Sequence, residues 1–351
     1  MLAVESKVAS AGAIESPDAN LNRSWKHIVG PVEPFLRAVS RQLVRQINDF
    51  DPQIVPYAQY ALDGGGKHLR PILVAMSAGT LGEVTDAHVT AAVIIEMVHL
   101  ATLVHDDVMD EAEIRRDRPT LAANWGNEIA VLFGDCLFAQ ALKLAASFPT
   151  PEVCRSVAMA TNTVCSGEIL QTQHRRKFAV SRREYFRVIG MKTAELFTLS
   201  CELAAFLSGA TPRRRTALRQ FGAAFGTAYQ VYDDCVDLFG TEAAAGKSLG
   251  TDLAKGKLTW PVLLAWERAN AADRSRLEQL VADWQPEHLA AVNELLARYE
   301  TFEPSQAVVR TYLDQARRAL RSLPESGGRT GLSALADFLE QQIGALAVCT
   351  G

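Results

Sequence analysis

Residues 99–116 read HLATLVHDDVMDEAEIRR, and residues 226–240 read GTAYQVYDDCVDLFG. Each stretch carries three aspartates in one pattern, Asp106, Asp107 and Asp110 in the first and Asp233, Asp234 and Asp237 in the second. On an α-helix, residues three and four apart are neighbours, so each trio converges within about one turn. Gln230 lies one turn ahead of the second trio on the same face. Both stretches are flanked by apolar residues, which predicts two largely buried helices. Like charges at this spacing destabilise a helix, and burying carboxylates costs more, so something positive must offset them. A single Asp-Asp-x-x-Asp often marks only a solvated helix face. Two copies, both inside apolar helices, are not explained that way. Hard divalent cations take oxygen ligands, and magnesium commonly binds one or two carboxylates together with substrate phosphates.

The rest of the chain also reads as helix. Its 351 residues include 36 basic and 40 acidic side chains, a formal net charge of −4, which excludes a basic, nucleic-acid-coating protein. Hydrophobic residues at 48% and charged residues at 22% fit a globular chain rather than a disordered one. Abundant alanine and only 7% aromatics lean towards an all-α fold. Phe35, Val39, Leu43 and Ile47 recur every fourth residue and predict a helix over 32–48. The glycine-rich ALDGGGKHLRP at 61–71 leads into a helix expected to begin at Pro71. Long helices are predicted over 86–110 with Asp86 as N-cap, 127–147 with an interruption at Gly134, 152–177, 183–208 and 213–239. A loop follows at 246–256, then four shorter helices broken near Pro286, Pro304 and Gly327–Gly328. No strand, internal repeat or polar linker stands out. The expected architecture is a single-domain bundle of long helices around a central cavity, spanning 29–348 after a flexible tail, 1–28.

Cys136, Cys154, Cys165, Cys201, Cys235 and Cys349 show no zinc-like spacing and read as reduced thiols. No uninterrupted apolar run approaches the ~20 residues that span a bilayer, and the N-terminus lacks a targeting pattern. A cytoplasmic protein without a transmembrane segment is the expectation.

Cationic residues recur in glycine-containing loops and at helix ends: Lys67 and Arg70 in GGGKHLRP, Arg115 and Arg116 after the first trio, Lys192 with Thr193 in MKTAELF, Lys247 in AGKSLGTD, and Lys257 in KGKLTWP. Each alone reads as a surface charge. Together with two acidic clusters they suit diphosphates bridged by metal, with arginine supplying a bidentate fork.

These motifs resemble those of the trans-isoprenyl diphosphate synthases, or polyprenyl synthases. The resemblance runs from about Val32 to Phe338 and takes in GGGKHLRP, DDVMDEAEIRR, MKTAELF, YQVYDDCVD and GTDLAKGKLTWP in the family's order, with GEILQ (Glu168, Gln171) on a further helix. It implies an all-α homodimer that condenses isopentenyl diphosphate with an allylic diphosphate, using magnesium, three ions when substrate is bound. It implies that Asp106, Asp107 and Asp110 hold magnesium on the allylic diphosphate. Asp233 holds a further ion, with Asp234 and Asp237 supporting it within the same metal site. Arg115, Lys192, Lys247 and Lys257 contact the allylic diphosphate. Lys67, Arg70, His99 and Arg116 bind isopentenyl diphosphate, and Thr193 and Gln230 line the reacting centre. His99 lies two turns before Asp106 on nearly the same face. Transient membrane contact at product release is compatible with such an activity; a nucleic-acid partner is not expected.

The product is expected to grow along the helix of the first trio. Ala101 and Thr102 lie about one turn deeper than Asp106, and both are small. In the family, bulky residues here stop the chain at farnesyl length. Val98 comes next, and Phe138 on the following helix is a candidate floor. A medium- to long-chain product, geranylgeranyl or longer, is therefore expected, with a short-chain farnesyl or geranylgeranyl synthase as the alternative. A class I terpene cyclase lacks the second aspartate trio and has no need of Lys67, Arg70 and Arg116. A non-catalytic synthase subunit loses part of a metal motif, and this chain keeps both. Two departures from the family stand out: Asp117 where a glycine is usual, and a C-terminus, QQIGALAVCTG, without the usual basic ending.

Overall fold

A computed structural model of the chain describes residues 17–116, 118–242 and 248–349. Asp117 and Lys247 lie outside the described residues.

The described chain is helical almost throughout, as the composition predicts. Helix α1 covers Pro17–Val29, α2 Glu33–Asn48, α3 Val55–Leu62, α4 Leu69–Gly79 and α5 Asp86–Met109. Then come α6 (Leu121–Trp125), α7 (Asn127–Ala146), α8 (Pro151–Gln173) and α9 (Arg182–Ile189). A π-helical turn, Gly190–Ala194, joins α9 to α10 (Glu195–Leu207), which is followed by α11 (Pro212–Phe239). The remainder is α12 (Thr251–Ala254), α13 (Trp260–Arg268), α14 (Ala271–Ala282), α15 (His288–Arg298), α16 (Phe302–Leu320) and α17 (Gly327–Cys349).

Helix α5 is the axis. Val93, Ile94, Ile95, Val98 and Ala101 have no or almost no exposure, because α2, α4, α7 and α10 pack around the helix. Helix α11 forms a second axis between α10 and α16, through Leu218, Phe221, Phe225 and Val231. A smaller core of Leu253, Val262, Leu277, Val281, Val292 and Leu296 sits under α12 to α15. By length and composition, α5 and α7 are both apolar enough to cross a membrane, although polar residues interrupt each of them. In this fold α5 is a core helix.

Several local expectations are corrected. The chain before residue 29 is not all tail: α1 docks, with the Trp25 ring 5.2 Å from that of Phe338. Helix α4 starts at Leu69, so Pro71 occupies its third position, within the first turn where no intrahelical N–H bond is lost. Gly134 does not interrupt α7. A Cβ there would collide with the His105 ring, so the glycine lets α5 and α7 approach. Pro304 likewise sits in the first turn of α16 rather than breaking it. Two short strands, Ile114–Arg115 and Arg118–Pro119, pair antiparallel where only helix and loop are expected.

The N-cap of α5 is Thr85, not Asp86, and its partner is unusual. His88 accepts the Thr85 backbone N–H at Nδ1 (3.0 Å), and its Nε2 lies 3.3 Å from the Ala204 carbonyl and 3.1 Å from Ser208 Oγ. Burial lowers the His88 pKa, although the Ala204 contact opposes this. The neutral ring, with its proton on Nε2, satisfies both ends. A second proton on Nδ1 would face the Thr85 N–H. A base whose folded pKa is depressed contributes stability above its unfolded pKa of about 6.5 and loses it as pH falls. Denaturant midpoints should therefore drop between about pH 7 and 5, and His88→Gln should flatten that drop. An unchanged pH slope in the variant would contradict the assignment.

Candidate active site

The C-terminal end of α5, the start of α4, the end of α8, the π-turn and the end of α11 surround one large cavity of about 1470 Å³. Asp106, Asp107, Asp110 and Asp233 line it, as do Lys67, Arg70, His99, Arg115, Arg116, Lys192, Thr193, Gln230 and Lys257. Residues separated by most of the sequence thus converge as the motifs require.

Each aspartate of the first trio meets cations. Lys192 Nζ stands 3.6 Å from Asp106 Oδ2, close against Glu168, and donates to Gln171 Oε1 at 2.8 Å. Arg115 reaches Asp107 Oδ1 with two nitrogens, each at 2.8 Å. Asp110 meets Arg175 at 2.8 Å on Oδ1, and Lys257 at 2.6 Å and Lys255 at 3.3 Å on Oδ2. Burial pushes Asp106 up to about 6 despite Lys192. Burial also raises Asp107, against the pull of Arg115. At Asp110 burial acts upward too, but Lys257 and Lys255 overcome it and the carboxyl sits below its ordinary value. Arg175 and Lys255 were not singled out from sequence. Arg175 lies in HRRK, just after GEILQ, and Lys255 lies inside GTDLAKGKLTWP, two residues before Lys257.

The second trio divides. Asp233 faces the cavity, where its charge partly offsets the burial that lowers the Lys67 pKa. Asp234 is buried behind the wall. It accepts from Tyr185 Oη (2.5 Å), Gln230 Nε2 (2.8 Å) and the Trp260 backbone N–H (3.2 Å). Burial, with Asp252 nearby, raises it to about 7. Asp237 accepts from Thr251 Oγ1 (2.8 Å) and from the N–H groups of Thr251 (3.3 Å) and Asp252 (3.2 Å). Unlike Asp233, these two do not line the main cavity. They fasten the 250–260 segment that carries Lys255 and Lys257. Gly250, with φ +71°, and Gly256, with φ +69°, make the turns of that segment, and the Gly256 carbonyl accepts from the Arg176 N–H at 2.7 Å.

The π-turn brings Lys192 and Thr193 inward. It fits because glycines face it: a Cβ on Gly167 would lie 2.7 Å from Lys192 N, and one on Gly226 2.7 Å from Ala194 Cα. Thr193 Oγ1 donates to Gln230 Oε1 at 2.7 Å, and Gln230 is held from behind by Asp234.

Across the cavity lies a second cationic pole. Arg116, in a left-handed conformation (φ +52°), folds back from the short hairpin to donate to the Gly64 carbonyl at 3.2 Å. Lys67 and Arg70 flank it. The Arg70 guanidinium sits 4.8 Å above the Phe197 ring, and its buried Nε has no hydrogen-bond partner within the protein. A donor buried without a partner is costly, and an anion would satisfy it. His99 is held well below its usual pKa by burial and by Arg70, so it is neutral.

The apolar part of the wall comes from Leu100, Thr102, Leu103, Val104, Phe138 and Val164. Of the four chain-length candidates, Thr102 and Phe138 line the cavity, whereas Ala101 and Val98 are buried in helix packing, at 0% and 1% exposure, and do not line it. A helix turns about 100° per residue, which sets Ala101 about 140° round from Asp106 but Thr102 only about 40°.

Among the described residues no three His, Cys, Asp or Glu side chains converge as a ready-made metal cage. The donor set is hard carboxylate oxygens spread around a cavity with cations opposite. That suits an ion sharing its ligands with a bound polyanion, the usual manner of magnesium.

The division of the second trio has a direct check. Asp237→Ala should speed amide hydrogen exchange at Gly250, Thr251 and Asp252 in metal-free protein. If Asp237 acted only by binding metal, that exchange would not change.

Comparison with known proteins agrees with this geometry. The model of the polyprenyl synthetase family matches residues 51–299. A heptaprenyl diphosphate synthase component 2 of Bacillus subtilis is 35% identical over 302 residues, 86% of each chain. An octaprenyl diphosphate synthase of Haemophilus influenzae is 33% identical, covering 87% of this chain and 93% of that one. The crystal structure of a decaprenyl diphosphate synthase from Rhodobacter capsulatus superposes with a TM-score of 0.86 at 33% identity, over 91% of this chain and 99% of that one. A polyprenyl synthase from Caulobacter crescentus, solved with calcium and isoprenyl diphosphate, gives 0.85 at 30% identity, over 90% and 97%. With its fold, its paired aspartate motifs and its relatives in agreement, this chain belongs to the polyprenyl synthetase family.

Proposed function

We propose that the chain is a trans-polyprenyl diphosphate synthase. It joins isopentenyl diphosphate head to tail to an allylic diphosphate, releases diphosphate and makes a product of medium to long chain. The observation that carries this reading is the single cavity in which four aspartates and their cations face a second cationic pole, with an apolar wall beside them. Relatives named as heptaprenyl, octaprenyl and decaprenyl synthases support the chain length.

Asp106, Asp107, Asp110 and Asp233 are the carboxylates assigned to hold magnesium, three ions with substrate bound. Magnesium there supplies charge stabilisation for the leaving diphosphate. Lys192, Arg115 and Lys257 bind the allylic diphosphate, and the family resemblance adds Lys247. Lys67, Arg70, Arg116 and neutral His99 bind isopentenyl diphosphate at the other pole. When the allylic C–O bond breaks, its electron pair leaves with the diphosphate. The double bond of isopentenyl diphosphate, held close and oriented, attacks the allylic carbocation. Loss of a proton to the departing diphosphate restores a double bond. Thr193 and Gln230 border this centre, and the Asp234 contact fixes the Gln230 amide before substrate arrives. Leu100, Leu103 and Val164 present hydrocarbon that keeps water from the cation. The growing chain passes Thr102 and meets Phe138, whose ring stands edge-on to His105 at 5.6 Å.

Homodimer formation, implied by the family resemblance, has a suitable surface. Outside the cavity lining, helix α7 exposes Leu132 and Leu142, and α8 exposes Met159. A second reading, in which this face takes a different chain, draws on the relative named as a component. The five described cysteines that carry placed side chains are all free thiols, in keeping with a reducing, cytoplasmic setting.

The test is incorporation of labelled isopentenyl diphosphate by purified protein with magnesium and each allylic primer. Product length is read by chromatography. Products of geranylgeranyl length or longer are expected. Asp106→Asn and Asp233→Asn should each lower turnover at least ~100-fold. Absence of incorporation with every primer would overturn the reading as a self-sufficient synthase, and near-normal turnover in either variant would remove that residue from the metal site. In the same assay Phe138→Ala should lengthen the product; unchanged length would show that Phe138 is not the floor.

A further inference from the structure

We propose that Lys255 and Arg175 are positioning cations that make metal and diphosphate binding strongly interdependent. Before metal and diphosphate bind they hold Asp110 and oppose a lone metal ion. When metal and diphosphate arrive together, they turn from Asp110 to the diphosphate. The inference rests on the reading of the cavity as a diphosphate site.

The starting observation is a local excess of positive charge. The Asp110 side chain is only 6% exposed, yet three cations crowd it: Lys257 at 2.6 Å, Arg175 at 2.8 Å and Lys255 at 3.3 Å. Lys255 also acts on Asp107 and Lys257 on Asp106, so the charges are counted over the cluster: four carboxylates (Asp106, Asp107, Asp110 and Glu168) pair with five cations (Arg115, Arg175, Lys192, Lys255 and Lys257). Two of the three cations at Asp110 lie outside the roles implied by the motifs. Cations brought this close repel one another, so the arrangement is favourable only if further negative charge joins it. A metal ion alone brings positive charge to a cluster whose cations already outnumber its carboxylates by one. A diphosphate alone brings negative charge towards Asp106, Asp107 and Asp233. Only the pair balances the site.

The geometry couples the cations to one another. Arg176 donates its N–H to the Gly256 carbonyl at 2.7 Å, tying the end of α8 to the turn between Lys255 and Lys257. Asp237 fixes the start of the same segment. Arg175, Lys255 and Lys257 therefore share one backbone unit. Arg175 also keeps a buried Nε without a partner in the protein, so its donor capacity is not exhausted by Asp110.

Linkage makes the idea measurable. If the cations oppose metal binding alone and favour diphosphate binding with metal, removing one must shift the two affinities in opposite directions. Isothermal titration of the full-length protein would use magnesium alone, and inorganic pyrophosphate at saturating magnesium. For Lys255→Gln the expected result is magnesium binding roughly three- to tenfold tighter and pyrophosphate binding weaker by a similar factor. Arg175→Gln should give the same pair of signs, and it carries the test if Lys255→Gln does not fold. Lys255→Arg, which keeps the charge, should stay close to the original protein. Two affinities that move in the same direction, or that do not move, would overturn the proposal. Failure of the unsubstituted protein to bind pyrophosphate with magnesium would instead overturn the diphosphate reading beneath it.

Discussion

The structure turns on the neutralisation of carboxylates at the buried end of α5. A helix packed on most sides by apolar neighbours delivers three aspartates into a cavity, where unpaired charge would be costly. The surrounding elements answer that cost. The π-turn supplies Lys192, the short hairpin supplies Arg115, and the loop after α11 supplies Lys255 and Lys257 beside Arg175. These ion pairs tie the end of α5 to the π-turn, the hairpin, the loop after α11 and the end of α8, beside the packing and hydrogen bonds that already bring those segments together.

The same constraint explains the functional polarity of the cavity. Carboxylates and their cations gather on one side, and Lys67, Arg70 and Arg116 on the other. Two diphosphates can thus be bound apart while their hydrocarbon ends meet between the poles. The apolar wall continues from α5 to Phe138, so a chain lengthening by successive additions moves away from the charges and into hydrocarbon surroundings. Binding, ionisation and elongation follow from a single separation of charge from grease.

Much of this was legible in the sequence, and the remainder shows what spacing omits. The first aspartate trio was readable because i, i+4 carboxylates inside an apolar helix demand a counter-charge. The division of the second trio was not. Spacing makes Asp233, Asp234 and Asp237 equivalent, whereas α11 ends at Phe239 and the chain folds back over its last turn, so that Asp237 meets Thr251 and Asp252 instead of the cavity. Ala101 was assigned by its distance along the helix, but rotation decides which residues reach a cavity. Arg175 and Lys255 were passed over because lysines and arginines near loops are commonplace, and only the tertiary fold brings these two to Asp110. The docking of Trp25 on Phe338 was likewise invisible, and so was the choice of His88 as the partner of Thr85, because Ala204 and Ser208, more than a hundred residues on, hold the other end of its ring.

The central claim is that the aspartates are held by protein cations until magnesium and diphosphate replace them together. The most direct measurement is a crystal structure with magnesium and inorganic pyrophosphate bound. The account predicts that Lys257 leaves Asp110, now 2.6 Å away, and Arg115 leaves Asp107, both turning to pyrophosphate oxygens while the freed carboxylates take metal. A loaded structure in which these ion pairs persist, with metal held elsewhere, would contradict it.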